Sequence, residues 1–235
     1  LLLLLLLLLF QPFLGFRLRF KHFNIHSINL PSSFSAPAAA ADAVASSECK
    51  DLAKFMAKFM AKVESTSIGD SIRHDGVLYG PMLSEKYAND FLVAVQTCEA
   101  DGATKLFGKG RISNDNKPDG FLGDASEGVY MWPHVYADVT EDMSCFHEEL
   151  FGPAVTIVKA DDFDHALYLA NASPYGLSSA IYTNDRLEAY RFKTGIKAGM
   201  TSINNSTSGA EAHLPFGGVK GSGNGTRESG IWVIE

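Results

Sequence analysis

From Ala154 onward the apolar residues alternate between two rhythms, and this alternation limits the possible folds more than any other feature of the chain. Ala154 to Val158 is a continuous apolar run of strand length. Asp162 to about Asn171 places Phe163, Ala166, Leu167 and Ala170 on one helical face, with acids in the first turn where the helix dipole favours them. Leu177 to Tyr182 reads as a second strand. Asp185 to Lys197 reads as a helix capped by Asn184 or Asp185 and closed by Gly199, and Met200 to Asn204 reads as a third strand. Strand, helix, strand, helix, strand at this spacing requires parallel pairing through right-handed crossovers, because two parallel neighbours need a long connection. The expected class is therefore α/β, a parallel doubly wound sheet. Ligands of such sheets sit beyond the carboxyl ends of the strands, and Asn204 to Gly230 leaves one such end.

The residues before Ala154 prepare this unit. Leu52, Phe55, Met56, Phe59, Met60 and Val63 recur at three- and four-residue steps, which predicts a helix over Glu48 to Val63. A second helix is expected from Glu85, with Ser84 as N-cap, Tyr87, Phe91, Leu92 and Val95 on its buried stripe, and Gly102 beyond its end. Thr104 to Phe107 is a short strand. Ile112 to Gly128 has no period and many Asn, Asp, Gly and Pro residues, so it reads as loop. Val129 to Val139 reads as an extended pair broken at Pro133.

Leu1 to Phe10 is almost pure leucine, too short and too soon interrupted by Gln11, Pro12 and Arg17 to predict a membrane span. Arg17 to Ala41 is basic, Ser-rich and free of acids, as organelle transit segments are. Residues 1–47 are thus expected to be a low-complexity tract, targeting-like or not native, outside the folded unit of 48–235. A net charge of -7 argues against a nucleic-acid surface. Three cysteines (Cys49, Cys98 and Cys145) show neither metal spacing nor a paired framework, which fits a reducing compartment, and no metal site is expected. Cys98 is expected to be a small core hydrophobe. Asn171, Asn204, Asn205 and Asn224 head glycosylation sequons that matter only in a secreted chain.

Glu148-Glu149-Leu150-Phe151-Gly152-Pro153 joins two carboxylates to a large ring and a fixed turn. An ionised carboxylate accepts from both hydroxyls of a ribose, and the ring beside it can pack on a flat heterocycle. The spacing alone fits better two solvated acids before an ordinary strand, since acidic pairs are common in loops. The stretch resembles the Glu-Glu-Ile-Phe-Gly-Pro signature of the NAD(P)-dependent aldehyde dehydrogenase superfamily. Asn171-Ala172-Ser173-Pro174-Tyr175-Gly176-Leu177 and Pro215-Phe216-Gly217-Gly218-Val219-Lys220-Gly221-Ser222-Gly223 agree with the same family, in its order. The resemblance runs from about Lys54 to the last residue.

The resemblance implies an incomplete catalytic domain of an aldehyde-oxidising enzyme using NAD or NADP. It implies that Glu149 holds the nicotinamide ribose, that Phe151 contacts the nicotinamide side of the cofactor, and that Phe216 borders the aldehyde tunnel. The loop Ser208 to His213 would help set substrate choice, with His213 a substrate-contact candidate. Cys145 would lie on the approach to the cofactor site, away from the nucleophile position. The family's nucleophilic cysteine, general-base glutamate and oxyanion asparagine lie upstream of Glu48, where this chain carries its leucine, serine and alanine tract. No catalytic residue is therefore assigned, and Cys49 is too late in the chain to match. Activity is not expected of this chain alone, and the family's homo-oligomer is not expected either, since a C-terminal strand is lacking. A cytoplasmic or organellar location, a small aldehyde substrate and no membrane association complete the expectations. The alternative is a non-catalytic binding or assembly module derived from such an enzyme. Gly221-Ser222-Gly223-Asn224-Gly225 is not a dinucleotide loop, because it lacks the third glycine and the following strand–helix unit; a packed glycine-rich rim fits it better.

Overall fold

A computed structural model describes residues 5–7, 47–207 and 214–224. Five helices and eight short strands are described, and the class is α/β as expected. α1 spans Ser47–Glu64, and the amphipathic α2 spans Glu85–Ala100. The Ser84 side chain makes no cap hydrogen bond, so α2 starts where predicted but without the predicted cap. Its end is as expected: Gly102 takes φ +107, a left-handed value that a side chain would resist, and its N–H bonds back to the Glu99 carbonyl.

β2 (Thr104–Phe107) pairs antiparallel with β3 (His134–Val139), and β3 pairs parallel with β4 (Ala154–Val158). The one-turn helix α3 (Ser144–His147) lies in the β3–β4 connection. α4 (Phe163–Ala172) is capped by the Asp162 carboxylate, which accepts from the His165 N–H at 2.8 Å. α5 (Arg186–Gly195) is capped by Asp185, which accepts from Leu187 and Glu188. β6 (Ser178–Ile181) and β7 (Met200–Ile203) form a parallel pair around α5, as the crossover spacing requires.

Two details differ from the sequence expectation. The three predicted parallel strands do not form one ladder. β4 has β3 on one edge and β1 (Leu5–Leu7), antiparallel, on the other. Both edges of β4 are thus occupied, and β6 pairs with β7 apart from it. β1 is the one described segment of the leucine tract. Finally, α5 stops at Gly195 rather than Lys197. Asn171 ends it from α4: its side-chain N–H donates to the Gly195 carbonyl at 2.9 Å and its oxygen accepts from the Lys197 N–H at 2.7 Å.

One core cluster joins α2 (Phe91, Val95), β3 (Tyr136, Val139), Phe146 of α3, Val158, Phe163, Ile181 and Phe192. A second gathers Ile68, Ile112, Phe121, Ala125, Tyr130 and Trp132. The period-free stretch Ile112 to Gly128 is therefore pinned by three buried residues and a 3-10 turn at Ala125–Glu127, with Asp124 as its cap. No described helix is long and apolar enough to cross a membrane.

Candidate functional site

The acidic turn is built from both sides. Asp101, just past α2, accepts from the Ser144 N–H at 2.8 Å and from the Ser144 hydroxyl at 2.5 Å. The side-chain bond, then the backbone bond, holds the Asp101 carboxyl below its usual range. The Glu148 N–H then bonds to the Ser144 carbonyl at 2.8 Å and closes α3. On the other side, the His134 N–H donates to the Pro153 carbonyl at 2.8 Å, and the Ala154 N–H to that of Gly152. Between these anchors the chain has no slack.

Gly152 is required by contact, not by dihedral. A Cβ there would stand 2.3 Å from Cδ2 of Phe91. Phe91 cannot yield easily: it is 1% exposed and meets the His134 ring edge-on at 5.2 Å between centroids. His134 is itself buried, and its Nδ1 lies 2.9 Å from the Trp132 carbonyl, so that nitrogen carries the proton. Burial pushes the His134 pKa down and keeps the ring neutral. Phe91 and His134 thus form the wall behind the turn. Sequence reading placed Phe91 on a buried stripe but missed its role as the partner of Gly152, and missed His134 altogether.

Phe151 sits on this wall at φ +44, a left-handed value that is costly for a bulky residue. Its ring is 59% exposed. Glu149 is half-buried. With Glu148 and Leu150 it faces Asp90, Val93 and Thr97 of α2 across a groove of about 310 Å³. The groove carries carboxylates on both walls, so it favours hydroxyl donors and disfavours phosphate. Phe151 does not line it; its ring is presented beside it.

The other two motifs come together in a second place. β5 (Tyr175–Gly176) pairs antiparallel with β8 (Val219–Lys220). The Lys220 ammonium donates to the carbonyls of Asn171 and Ser173 at 3.0 and 2.9 Å. The Gly221 N–H bonds to the Pro174 carbonyl, and the Gly176 N–H to the Ser222 hydroxyl. Burial, then nearby Lys197, lowers the Lys220 pKa. Across the clasp, a Cβ on Gly199 would meet the Gly217 carbonyl oxygen at 1.8 Å. The glycine segment is thus packed backbone through Gly223, as the rim reading expected. Phe216 is half-buried in this clasp and does not line the groove of Glu149. His213 and the rest of Ser208 to His213 lie outside the described residues. Among the described residues no cluster of His, Cys, Asp or Glu could hold a metal.

Residues 44–235 match the sequence model of the aldehyde dehydrogenase family. The chain belongs to the aldehyde dehydrogenase family. Among similar proteins, alpha-ketoglutarate semialdehyde dehydrogenase of Haloferax volcanii is 40% identical over 169 residues, 71% of this chain and 33% of that protein. Succinate-semialdehyde dehydrogenase [NADP(+)] of Deinococcus radiodurans is 40% identical over 156 residues, 66% of this chain and 30% of its own length. Among solved structures, betaine aldehyde dehydrogenase from Staphylococcus aureus in complex with NAD+ superposes with a TM-score of 0.68 at 30% identity. It is covered for 33% of its length by 76% of this chain. The NAD-dependent aldehyde dehydrogenase from Sinorhizobium meliloti gives a TM-score of 0.67 at 31% identity, with 77% and 33% covered. This aldehyde dehydrogenase family chain spans about a third of the length of the curated relatives it matches. It is by family an oxidoreductase, and the family uses an NAD-type cofactor on small aldehydes.

Proposed function

We propose that Glu149 and Phe151 form the nicotinamide-ribose hold of an NAD(P)-dependent enzyme that oxidises a small aldehyde to a carboxylic acid. The observation that carries this reading is the pairing of a half-buried acceptor in a groove with an exposed ring on a turn hydrogen-bonded at both ends. The Glu149 carboxylate supplies two acceptor oxygens, matching the two hydroxyls of a ribose. The groove's acids would repel the phosphates, so its chemistry suits the nucleoside end of a dinucleotide. The Phe151 ring offers a flat apolar face to a heterocycle, and its left-handed backbone adjoins Gly152, which packs on Phe91 and through it on His134. The residues present therefore fit the cofactor. The chemistry it supplies when bound is acceptance of hydride from the substrate. The work of this chain's own residues is to bind the sugar and fix the ring plane.

The experiment is titration of the full chain with NAD+, NADP+ and nicotinamide mononucleotide, followed by calorimetry and by amide shifts around α2 and the turn. Glu149→Gln keeps the shape and removes the charge. Losing charge-assisted hydrogen bonds, each worth about 1.5–3 kcal/mol, should weaken binding about tenfold to a hundredfold. Equal affinity in the variant, or amide shifts that bypass the groove, would remove Glu149 from this role.

A further inference from the structure

We propose, on the reading of Glu149 and Phe151 given above, that His134 is a positioning residue of the nicotinamide-ribose hold: its neutral imidazole backs both walls of the groove, and its protonation loosens them and releases the ligand. One wall is α2, through Asp90, Val93, Ala94 and Thr97; the other is the acidic turn, through Glu148, Glu149 and Leu150. Both lead back to one ring. Phe91, next to Asp90, meets the His134 ring edge-on at 5.2 Å between centroids. Gly152, next to Phe151, packs on Phe91 so closely that a Cβ there would stand 2.3 Å from Cδ2. The His134 N–H also donates to the Pro153 carbonyl at 2.8 Å. His134 thus touches the turn directly through its backbone and reaches it through Phe91 with its side chain.

The ring has little room to adapt in place. It is 3% exposed, and its Nδ1 lies 2.9 Å from the Trp132 carbonyl. Tyr136 stacks on it at 6.3 Å between centroids. Gly108 covers the Cδ2–Nε2 side, where a Cβ would stand 2.3 Å from Cδ2 and 2.9 Å from Nε2. The bond to Trp132 is the ring's one hydrogen bond among the described residues. A second proton goes to Nε2 and places a charge in this closed site. Of the charged groups facing the ring, Lys105 of β2 opposes that charge and Glu99 of α2 favours it. The Glu99 carboxylate is already engaged, accepting from Lys105 at 2.8 Å and from the Tyr136 hydroxyl at 3.0 Å. Burial dominates and keeps the ring neutral. A protonated His134 is therefore better served by leaving the wall for water. As it leaves, Phe91 loses its backing and Gly152 the surface it packs on, so the two walls of the groove part. Proton uptake and ligand release are then linked through one equilibrium between a closed, neutral wall and an open, charged one.

The test titrates the full chain with nicotinamide riboside by calorimetry between about pH 7.5 and about pH 5.5, which brackets the ordinary imidazole value. The riboside carries no phosphate to ionise in this range. Native affinity should fall about threefold to tenfold on acidification, with a slope of no more than about one decade per pH unit, because one proton is taken up. Without ligand, the His134 ring resonances and the Gly152 amide should move with the same midpoint. His134→Asn keeps a donor for the Trp132 carbonyl but does not ionise, and His134→Phe keeps a ring against Phe91; affinity in either should be level across the range. His147→Gln, which removes the imidazole next to Glu148, should keep the native slope. Should neither His134 variant fold, the ligand-free midpoints of the native chain decide. A native affinity that is level across the range, a slope that survives in a folded His134 variant or vanishes in His147→Gln, or a Gly152 amide that does not follow the His134 ring would overturn this proposal alone. Absence of binding at the upper pH would overturn the ribose hold, and this proposal with it.

Discussion

Gly152→Ala is the sharpest probe of how the acidic turn is held. The new methyl would stand 2.3, 2.6 and 2.7 Å from Cδ2, Cε2 and Cγ of Phe91, far inside van der Waals contact. Gly152 is not among the residues with positive φ, so the substitution brings no dihedral penalty and tests packing alone. Phe91 is backed by His134, and His134 is tied to Trp132, so the strain cannot be shed by a free rotamer change. Overpacking of a closed core costs about 1–3 kcal/mol, and a wall this rigid places the variant near about 2–3. With a urea slope of about 2 kcal/mol per molar, the unfolding midpoint should fall by about 1 M or somewhat more. Phe91→Leu alone should cost on the order of 1–2 kcal/mol by leaving a void. The double variant should be more stable than the sum of the two losses by about 1 kcal/mol, because the smaller side chain makes room for the methyl. An unchanged midpoint for Gly152→Ala, or strict additivity in the double variant, would refute the account of the wall.

Phe151→Gly should change stability by no more than about 1 kcal/mol, since relief of left-handed strain offsets the lost side chain and the added chain entropy, yet it should weaken nicotinamide mononucleotide binding; calorimetry and urea unfolding on one sample check both. Asn171→Ala removes both bonds that end α5 and should cost about 1–3 kcal/mol, with amide exchange rising first at Gly195 to Lys197. A buried histidine and a set of hydrogen-bonded carboxylates shape the acid limb of stability. The His134 pKa is depressed below 6.5, so its contribution is complete above 6.5 and is lost as pH falls through the folded value. The Asp101 pKa is depressed below 3.8, so its contribution is lost only at lower pH still. The thermal midpoint should therefore decline in two stages on acidification, and Asp101→Asn should shrink the second, to which Asp70, Glu99, Asp124 and Asp142 also contribute; a midpoint that stays level between neutral pH and the carboxylate range would contradict the His134 stage.

Periods and punctuation are local, so they can be read along the chain. The apolar stripes of α1 and α2, the strand at Ala154–Val158 and the Asp185 cap of α5 needed nothing beyond their neighbours in sequence. The acidic turn was legible for the same reason, through residue types crowded into one hexapeptide. Contacts between distant residues leave no such mark. Nothing near Gly152 signals that Phe91 fills the space of its missing Cβ, and nothing near Asn171 signals that it ends another helix. Lys220 reads as a solvated base until folding places its ammonium on two carbonyls of another motif. The edges of β4 could not be assigned from its own sequence either, because a strand specifies its faces through side chains and its neighbours only through backbone bonds that every residue offers. Residue pattern thus defined the α/β units and the acid-and-ring candidate. Folding decided which strands share an edge and that Glu149 and Phe216 belong to separate places, since each depends on long-range packing.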